Sequence, residues 1–370
     1  MLTNNTFNTE FKSKNFEERK GQAVQFLVLH YTAVPLATTL GIFTNNAELA
    51  KIDANFFAGM RTDRTISEML LCEKEVSAHY LNSEAGEVYQ LVDEEFAARH
   101  AGASYWNGVK DINGHSIGIE HENIGYDWLA KFPQDRGLKI EGSEKTWCKF
   151  TEPQIKKTIE LCREIIKRYG IKPYNVIGHS DIACGRKSDP GPLFPWKQLM
   201  EAGVGIWYDM TESTLKTMPE NAIRWMQEKL SEFGYNCPVT GEKDDITCST
   251  IKSFQMHFRQ NNIDGNIDLE CIKILDSLCQ RKQTFELAAA LENACNNTKK
   301  LADEKKTLPL ENMEPQSTCL GFRPQQNNIT NNKASINTNT DNLHLENSEP
   351  ESASSLGFQL QKDTVNNLFF

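Results

Sequence analysis

The chain has 370 residues, more than one average domain, so length alone points to two compact units or one unit with appendages. Apolar residues make up 39% and charged residues 24%, both within the globular range, and no stretch is apolar for the length a bilayer requires, which excludes a membrane-spanning helix. A net charge of -10 with no basic patch excludes nucleic acid as a general partner, because phosphate binding depends on Lys and Arg.

The opening stretch, MLTNNTFNTEFKSKNFEERK, is polar and has no apolar core, so no signal peptide is expected and a cytoplasmic location follows from that reading. From Gln22 to Trp196 strand-like and helix-like patterns alternate. QFLVLHY, EVYQLV, SIGIEHE and NVIGH read as strands. TEPQIKKTIELCREIIKRYG reads as a helix: Thr151 caps it, Pro153 suits its first turn, Ile155, Ile159, Cys162 and Ile166 recur at helical spacing, and Gly170 ends it. The expected class is therefore α/β, a central mixed sheet flanked by helices. Past Pro219 come three short amphipathic helices with Gly234 and the turn at 264–266 between them, predicting a small three-helix module with its own core. From about Lys282 a further helical stretch, TFELAAALENAC, runs into an Asn-, Ser- and Thr-rich tail expected to be disordered. The ten cysteines are scattered singly with no CxxC pair, which predicts free thiols in a reducing compartment.

GHSDIACGRKSDPGPLFPW, Gly178 to Trp196, concentrates reactive side chains on a loop stiffened by proline and glycine. His30 ends FLVLH and His179 ends NVIGH, each where a strand passes into a loop; either alone is as well explained by packing. Together with Asp189 they make a His2Asp set that can bind zinc and leave a fourth position for water. In SIGIEHE alternation puts Ile117 and Ile119 on one face and Glu120 on the other, where it is either a solvated carboxylate or, near a metal, a base. Lys187, two residues before Asp189, is either a solvated loop lysine or an ammonium for a developing oxyanion. His121 reads as packing or support behind the site, His115 and His257 as ordinary loop and helix residues, and Cys184 as a bystander.

LHYTAVP, SAHYLNSEAGEVYQLVDEEFAARHAGASYW, SIGIEHEN and GHSDIACGRKSDPGPLFPWKQL occur in order over about 180 residues. This set resembles the zinc-dependent N-acetylmuramoyl-L-alanine amidases of the type 2 amidase family, which share their fold with peptidoglycan recognition proteins. IKSFQMHFRQNNIDGNID is similar to the peptidoglycan-binding module that accompanies one branch of that family. The resemblance implies one zinc ion per chain on His30, His179 and Asp189, Glu120 as the catalytic glutamate and Lys187 beside the reacting carbonyl. It also implies a substrate groove lined by His79, Tyr80, His100 and Trp106.

The domains implied are a catalytic one over 20–208, a peptidoglycan-binding module over 215–281 and a tail over 282–370. A chain ending near Tyr208 would then keep its turnover of small soluble muropeptides. The partner implied is peptidoglycan or its muropeptides. The alternatives are a non-catalytic recognition protein, which typically lacks a zinc ligand, and a zinc peptidase acting elsewhere in the stem peptide. Envelope lipoproteins are common in that branch, so the resemblance implies a periplasmic or cell-envelope location where the polar start implies a cytoplasmic one, and the first cysteine here is Cys72.

Overall fold

The computed structural model describes residues 7–52, 75–126 and 136–307; Cys72 and the Asn-rich stretch lie outside them. In chain order the elements begin with β1 (Phe16–Glu18), β2 (Phe26–Leu29), α1 (Leu36–Thr44) and α2 (Ala47–Ile52). There follow β3 (Tyr80–Asn82), β4 (Val88–Gln90), β5 (Phe96–Ala98), β6 (Tyr105–Trp106), β7 (Val109–Lys110) and β8 (Ser116–His121). After these come β9 (Gly137–Lys139), β10 (Thr146–Cys148), α3 (Glu152–Tyr169), β11 (Val176–Gly178), α4 (His179–Ile182) and α5 (Trp196–Glu201). The C-terminal helices are α6 (Ala222–Phe233), α7 (Asp245–Phe258) and α8 (Leu269–Thr307).

The main sheet has the order β11-β2-β8-β3-β4, with β11, β2, β8 and β3 parallel and β4 antiparallel to β3. This is the expected mixed sheet. Its centre follows from the sequence: FLVL in β2 is an unbroken apolar run, the composition a parallel strand takes when both faces are covered, and all four residues are buried. On α3 the Thr151 side chain accepts from the Gln154 amide and Gly170 ends the helix in the left-handed region. The buried stripe runs through Ile155, Thr158, Leu161, Cys162 and Ile165, while Ile159 and Ile166 sit at its edge.

The three C-terminal helices form where expected, with Asn221 and Asp244 capping α6 and α7 through their side chains. A separate core for them is not what the structure contains. Met226, Leu230, Phe254, Phe258, Leu275 and Leu278 belong to the same buried cluster as Leu27, Ile117, Trp106, Ile182 and Trp196. The reason is geometric: α6 and α7 present their apolar stripes to the β6–β7 hairpin and to the segment after β11, which offers its own aromatic side chains in return. The chain divides elsewhere, into a first compact unit running to Leu287 and a second beginning at Ala288, within α8. In the second unit the described residues, Ala288 to Thr307, continue that helix, so the start of the expected tail is helical. All eight described cysteines are unpaired. Among the described residues no helix is long and apolar enough to cross a membrane.

Candidate active site

Three neighbouring strands deliver the site. In the parallel register Leu29 stands opposite Gly178 on one side and Ile119 on the other, so the next residue of each strand, His30, His179 and Glu120, arrives at the same carboxyl edge of the sheet. This is where open parallel sheets place ligands. Asp189 then returns along the loop after α4, tied back by the Ser180 amide donating to its carbonyl at 2.8 Å.

The donor atoms converge. His30 Nδ1 lies 2.9 Å from Asp189 Oδ2, His179 Nδ1 lies 3.0 Å from the same oxygen, and the two Nδ1 atoms are 3.1 Å apart. All three residues are buried, and the triad is the one His/Cys/Asp/Glu cluster among the described residues that could hold a metal ion.

The hydrogen bonds fix which nitrogens are bare. His179 Nε2 lies 3.1 Å from the Ala101 carbonyl, an acceptor only, so it carries the proton and leaves Nδ1 with a lone pair. For His30 the assignment passes through a relay. Ser116 Oγ donates to the Ile112 carbonyl at 2.8 Å, leaving its oxygen to accept from His100 Nε2 at 3.0 Å. His100 Nδ1 is then the acceptor for His30 Nε2, also at 3.0 Å, and His30 Nδ1 is bare. Burial, and then the neighbouring histidines, hold His100 well below the usual imidazole range, so it stays neutral in this role. Gly118 makes room for its ring: a Cβ there would sit 2.5 Å from His100 Cγ.

Two lone pairs and a carboxylate oxygen thus face one another at close to 3 Å, an arrangement that is repulsive by itself and is resolved by a cation between them. Zinc bonds of about 2.0–2.1 Å in a tetrahedron place ligand atoms about 3.3 Å apart, so the triangle has the dimensions of one face of such a site.

Glu120 is buried, not solvated; the β8 strand is covered on both faces, so alternation does not lead to water. Its Oε1 is 4.0 Å from His30 Nδ1 and its Oε2 has no hydrogen-bond partner. Burial first, and then the charge of Asp189, push its pKa well up, with Lys187 opposing. Lys187 is also buried, and its charge acts on His179 as well as on Glu120. Lys187 and Ser188 open onto a cavity of about 700 Å³ whose walls include Lys145 and Trp147 of the β9–β10 hairpin and Ser249, Lys252 and Met256 of α7.

The residues expected to line a groove are placed differently. His79 has no exposed surface: its Nδ1 accepts from the Gly118 amide at 3.0 Å and its Nε2 lies 3.0 Å from the Phe96 carbonyl. Tyr80 donates its hydroxyl to Glu94 at 2.9 Å, inside the protein. Trp106 donates to the Tyr174 carbonyl at 3.3 Å and packs edge-on against Phe233 and Tyr235, plugging the joint between the hairpin and α6. His100 is the fourth of that set, and it stands behind His30. Sequence reasoning sees an imidazole or aromatic ring near the site motifs but not which way its strand turns it.

His121 supports the site from the far side, its Nδ1 2.7 Å from the His30 carbonyl and its Nε2 2.9 Å from Thr158 Oγ1. Tyr31, whose hydroxyl is 3.1 Å from Ser188 Oγ, carries no sequence signal beyond its position directly after His30. Cys184 is no reactive thiol, since burial raises its pKa to about 12.

Two family models match the chain, N-acetylmuramoyl-L-alanine amidase over residues 20–192 and a peptidoglycan binding domain over residues 219–275. The N-acetylmuramoyl-L-alanine amidase AmiD of Escherichia coli K12 is 37% identical over 227 residues, which cover 57% of this chain and 76% of that protein. The 1,6-anhydro-N-acetylmuramyl-L-alanine amidase AmpD of Haemophilus influenzae is 29% identical over 198 residues, 52% of this chain and 90% of that one. Among solved structures, E. coli AmiD in complex with the substrate anhydro-N-acetylmuramic acid-L-Ala-D-gamma-Glu-L-Lys aligns with a TM-score of 0.51 and 32% identity, over 73% of this chain and 98% of that one. AmpDh3 from Pseudomonas aeruginosa, in complex with an anhydromuramic pentapeptide, aligns with a TM-score of 0.50 and 32% identity, over 76% of this chain and 99% of that one. An identity of 37% across three quarters of AmiD is enough to place it: the chain belongs to the N-acetylmuramoyl-L-alanine amidase family.

Proposed function

We propose that this protein hydrolyses the amide bond between the lactyl group of N-acetylmuramic acid and L-alanine, in peptidoglycan and in muropeptides released from it, with one zinc ion per chain held by His30, His179 and Asp189. The observation that supports this most directly is the triangle of bare donor atoms within 3.1 Å, next to a buried carboxylate oxygen with no partner. Solved relatives hold anhydromuramyl peptides, which supports the same substrate class here. The 700 Å³ cavity beside Lys187 is of a size that accepts a peptide stem.

When bound, zinc at this position lowers the pKa of water towards about 7 and polarises the substrate carbonyl. The protein side chains do the rest. Glu120, its pKa raised by burial, takes the proton of the attacking water on Oε2 and returns it to the amine of L-alanine as the bond breaks. Lys187 sets its positive charge beside the oxygen that becomes negative. Asp189 supplies the third ligand atom beside the two imidazoles, whose rings are oriented by His100 and the Ala101 carbonyl. Residues 219–275 hold the enzyme to peptidoglycan sacculi.

The test is a product assay on a defined muropeptide with purified protein of known metal content. An amidase frees the amino group of L-alanine and leaves intact muramic acid; cleavage further along the stem, or undiminished cleavage by protein stripped of zinc, would overturn the reading.

A further inference from the structure

The stretch from Gly178 to Trp196, which carries His179, Lys187 and Asp189, is gripped from behind by the C-terminal helices. The strongest grip is on Asp181, two residues after His179 and 1% exposed. Its Oδ2 accepts from the Gly178 amide at 2.7 Å, a bond within its own turn. The other two donors come from the helical segment. Tyr235, just past α6, donates its hydroxyl to Oδ1 at 2.7 Å, and His257 of α7 approaches Oδ2 through Nδ1 at 2.7 Å. Both partners are buried, at 0% and 4% exposed. Trp196, at the far end of the stretch, stacks on the His257 ring with centroids 3.8 Å apart, and Gln260 donates to the Phe194 carbonyl at 2.6 Å.

A carboxylate without water needs its lone pairs filled, and losing a partner costs the desolvation of the orphaned group. Asp181 has three short bonds, and two of them would vanish with the helices. Gly178 adds a steric reason for rigidity: a Cβ on it would lie 2.8 Å from Pro190 Cδ, so the turn bearing His179 and the loop bearing Asp189 are in direct contact. Any relaxation of Asp181 moves both ligands against each other.

We propose that the helical segment, through Tyr235, His257 and Asp181, is a positioning device for the His179 and Asp189 ligands, so that the part of the chain that matches a peptidoglycan binding domain also tunes the affinity for the metal and the turnover number. This rests on the zinc reading above for its consequences, and on the hydrogen bonds alone for its cause.

The experiment uses the full chain and three substitutions. Tyr235→Phe removes one hydroxyl at nearly constant volume, His257→Leu removes one donor, and His257→Asn restores a donor near the position of Nδ1. Zinc affinity is measured by competition with a chromophoric chelator, kcat and KM on a soluble muropeptide, sacculus binding by sedimentation, and protection of the 178–189 amides by hydrogen exchange in zinc-free protein. Tyr235→Phe and His257→Leu are expected to weaken zinc binding about tenfold, the usual effect of losing a supporting partner. They should lower kcat while KM and sacculus binding stay within twofold, and His257→Asn should recover most of the loss. Unchanged zinc affinity and kcat in both Tyr235→Phe and His257→Leu would overturn the proposal, as would equal failure of the Asn and Leu variants at residue 257. If the parent binds no zinc, the functional reading fails by itself, and amide protection still decides: loss in the two variants upholds the grip on this stretch, and parental protection ends it.

Discussion

Two buried carboxylates, Asp181 two residues after His179 and Glu120 4.0 Å from His30, behave as opposites. Asp181 has both oxygens filled by three donors, from Gly178, Tyr235 and His257. Glu120 is as deeply buried, yet one of its oxygens has no partner, and its pKa is pushed well up. The difference separates support from chemistry. A side chain whose hydrogen bonds are complete has no capacity left for a substrate, while a titratable one kept buried and incomplete at a strand-end cluster is the pattern of a reacting group.

The largest expected effect tests the incomplete side of this contrast. His30→Ala or Asp189→Ala should lose stoichiometric zinc and bring turnover down to background, measured by metal analysis and product assay together; zinc retained by His30→Ala would mean a wrongly assigned ligand. Nearly as large an effect is expected from the supporting side. A chain ending at Tyr208 strips the apolar partners of Trp106, Ile182 and Trp196 and two of Asp181's donors, so it should be poorly folded and should lose soluble turnover as well as sacculus digestion. This reverses what a separate core would imply. A shortened chain with parental turnover on a small muropeptide would restore the tether-only picture.

Glu120→Gln sharpens the comparison because its two effects have opposite signs. Turnover should fall by about 10² or more, since only the proton acceptor is removed. Stability should rise. The folded pKa of Glu120 lies above its unfolded value, so ionised Glu120 weakens the fold as pH rises past the ordinary carboxylate range, and a neutral amide removes that cost. A melting temperature of the zinc-free variant a few degrees above the parent at neutral pH is the check. A smaller, distributed effect concerns the supporting histidines. Burial lowers His79 to about 3 and His121 to about 4. Both folded values lie below the unfolded one, so the stability of the neutral rings is complete above about 6.5 and is lost as pH falls below it. Urea unfolding should show a loss of roughly 2 kcal/mol per ring between pH 7 and 5, and His121→Gln should flatten that slope. The smallest effect is at the surface, where Arg224→Ala, breaking an exposed pair with Glu228, should change unfolding by no more than about 0.5 kcal/mol.

Much of the site was legible in the sequence because parallel strands bury continuous apolar runs and end abruptly. FLVL before His30 and NVIG before His179 announce strand ends, and strand ends in such sheets share one edge. The α3 helix was legible for a similar reason, since its cap, its proline and its terminal glycine are all local signals. What was not legible depends on distant packing. Trp106 reads as a groove residue until the aromatic rings of Phe233 and Tyr235, more than a hundred residues on, are seen closing over it. His257 reads as an ordinary helix residue because its partner Asp181 lies 76 positions away. The amphipathic stripes of α6 and α7 are real, but a stripe does not name the surface it covers, so from the sequence the helices read as having a core of their own.

The string of contacts from His30 through His100 and Ser116 stops at the carbonyl of Ile112, a group that accepts hydrogen bonds but takes no proton at any ordinary pH. That makes this string a dead end for proton traffic. A proton released at the sheet edge has no exit along this string behind His30. In the hydrolysis proposed above, Glu120 would then collect and dispense the proton on the cleft side of His30.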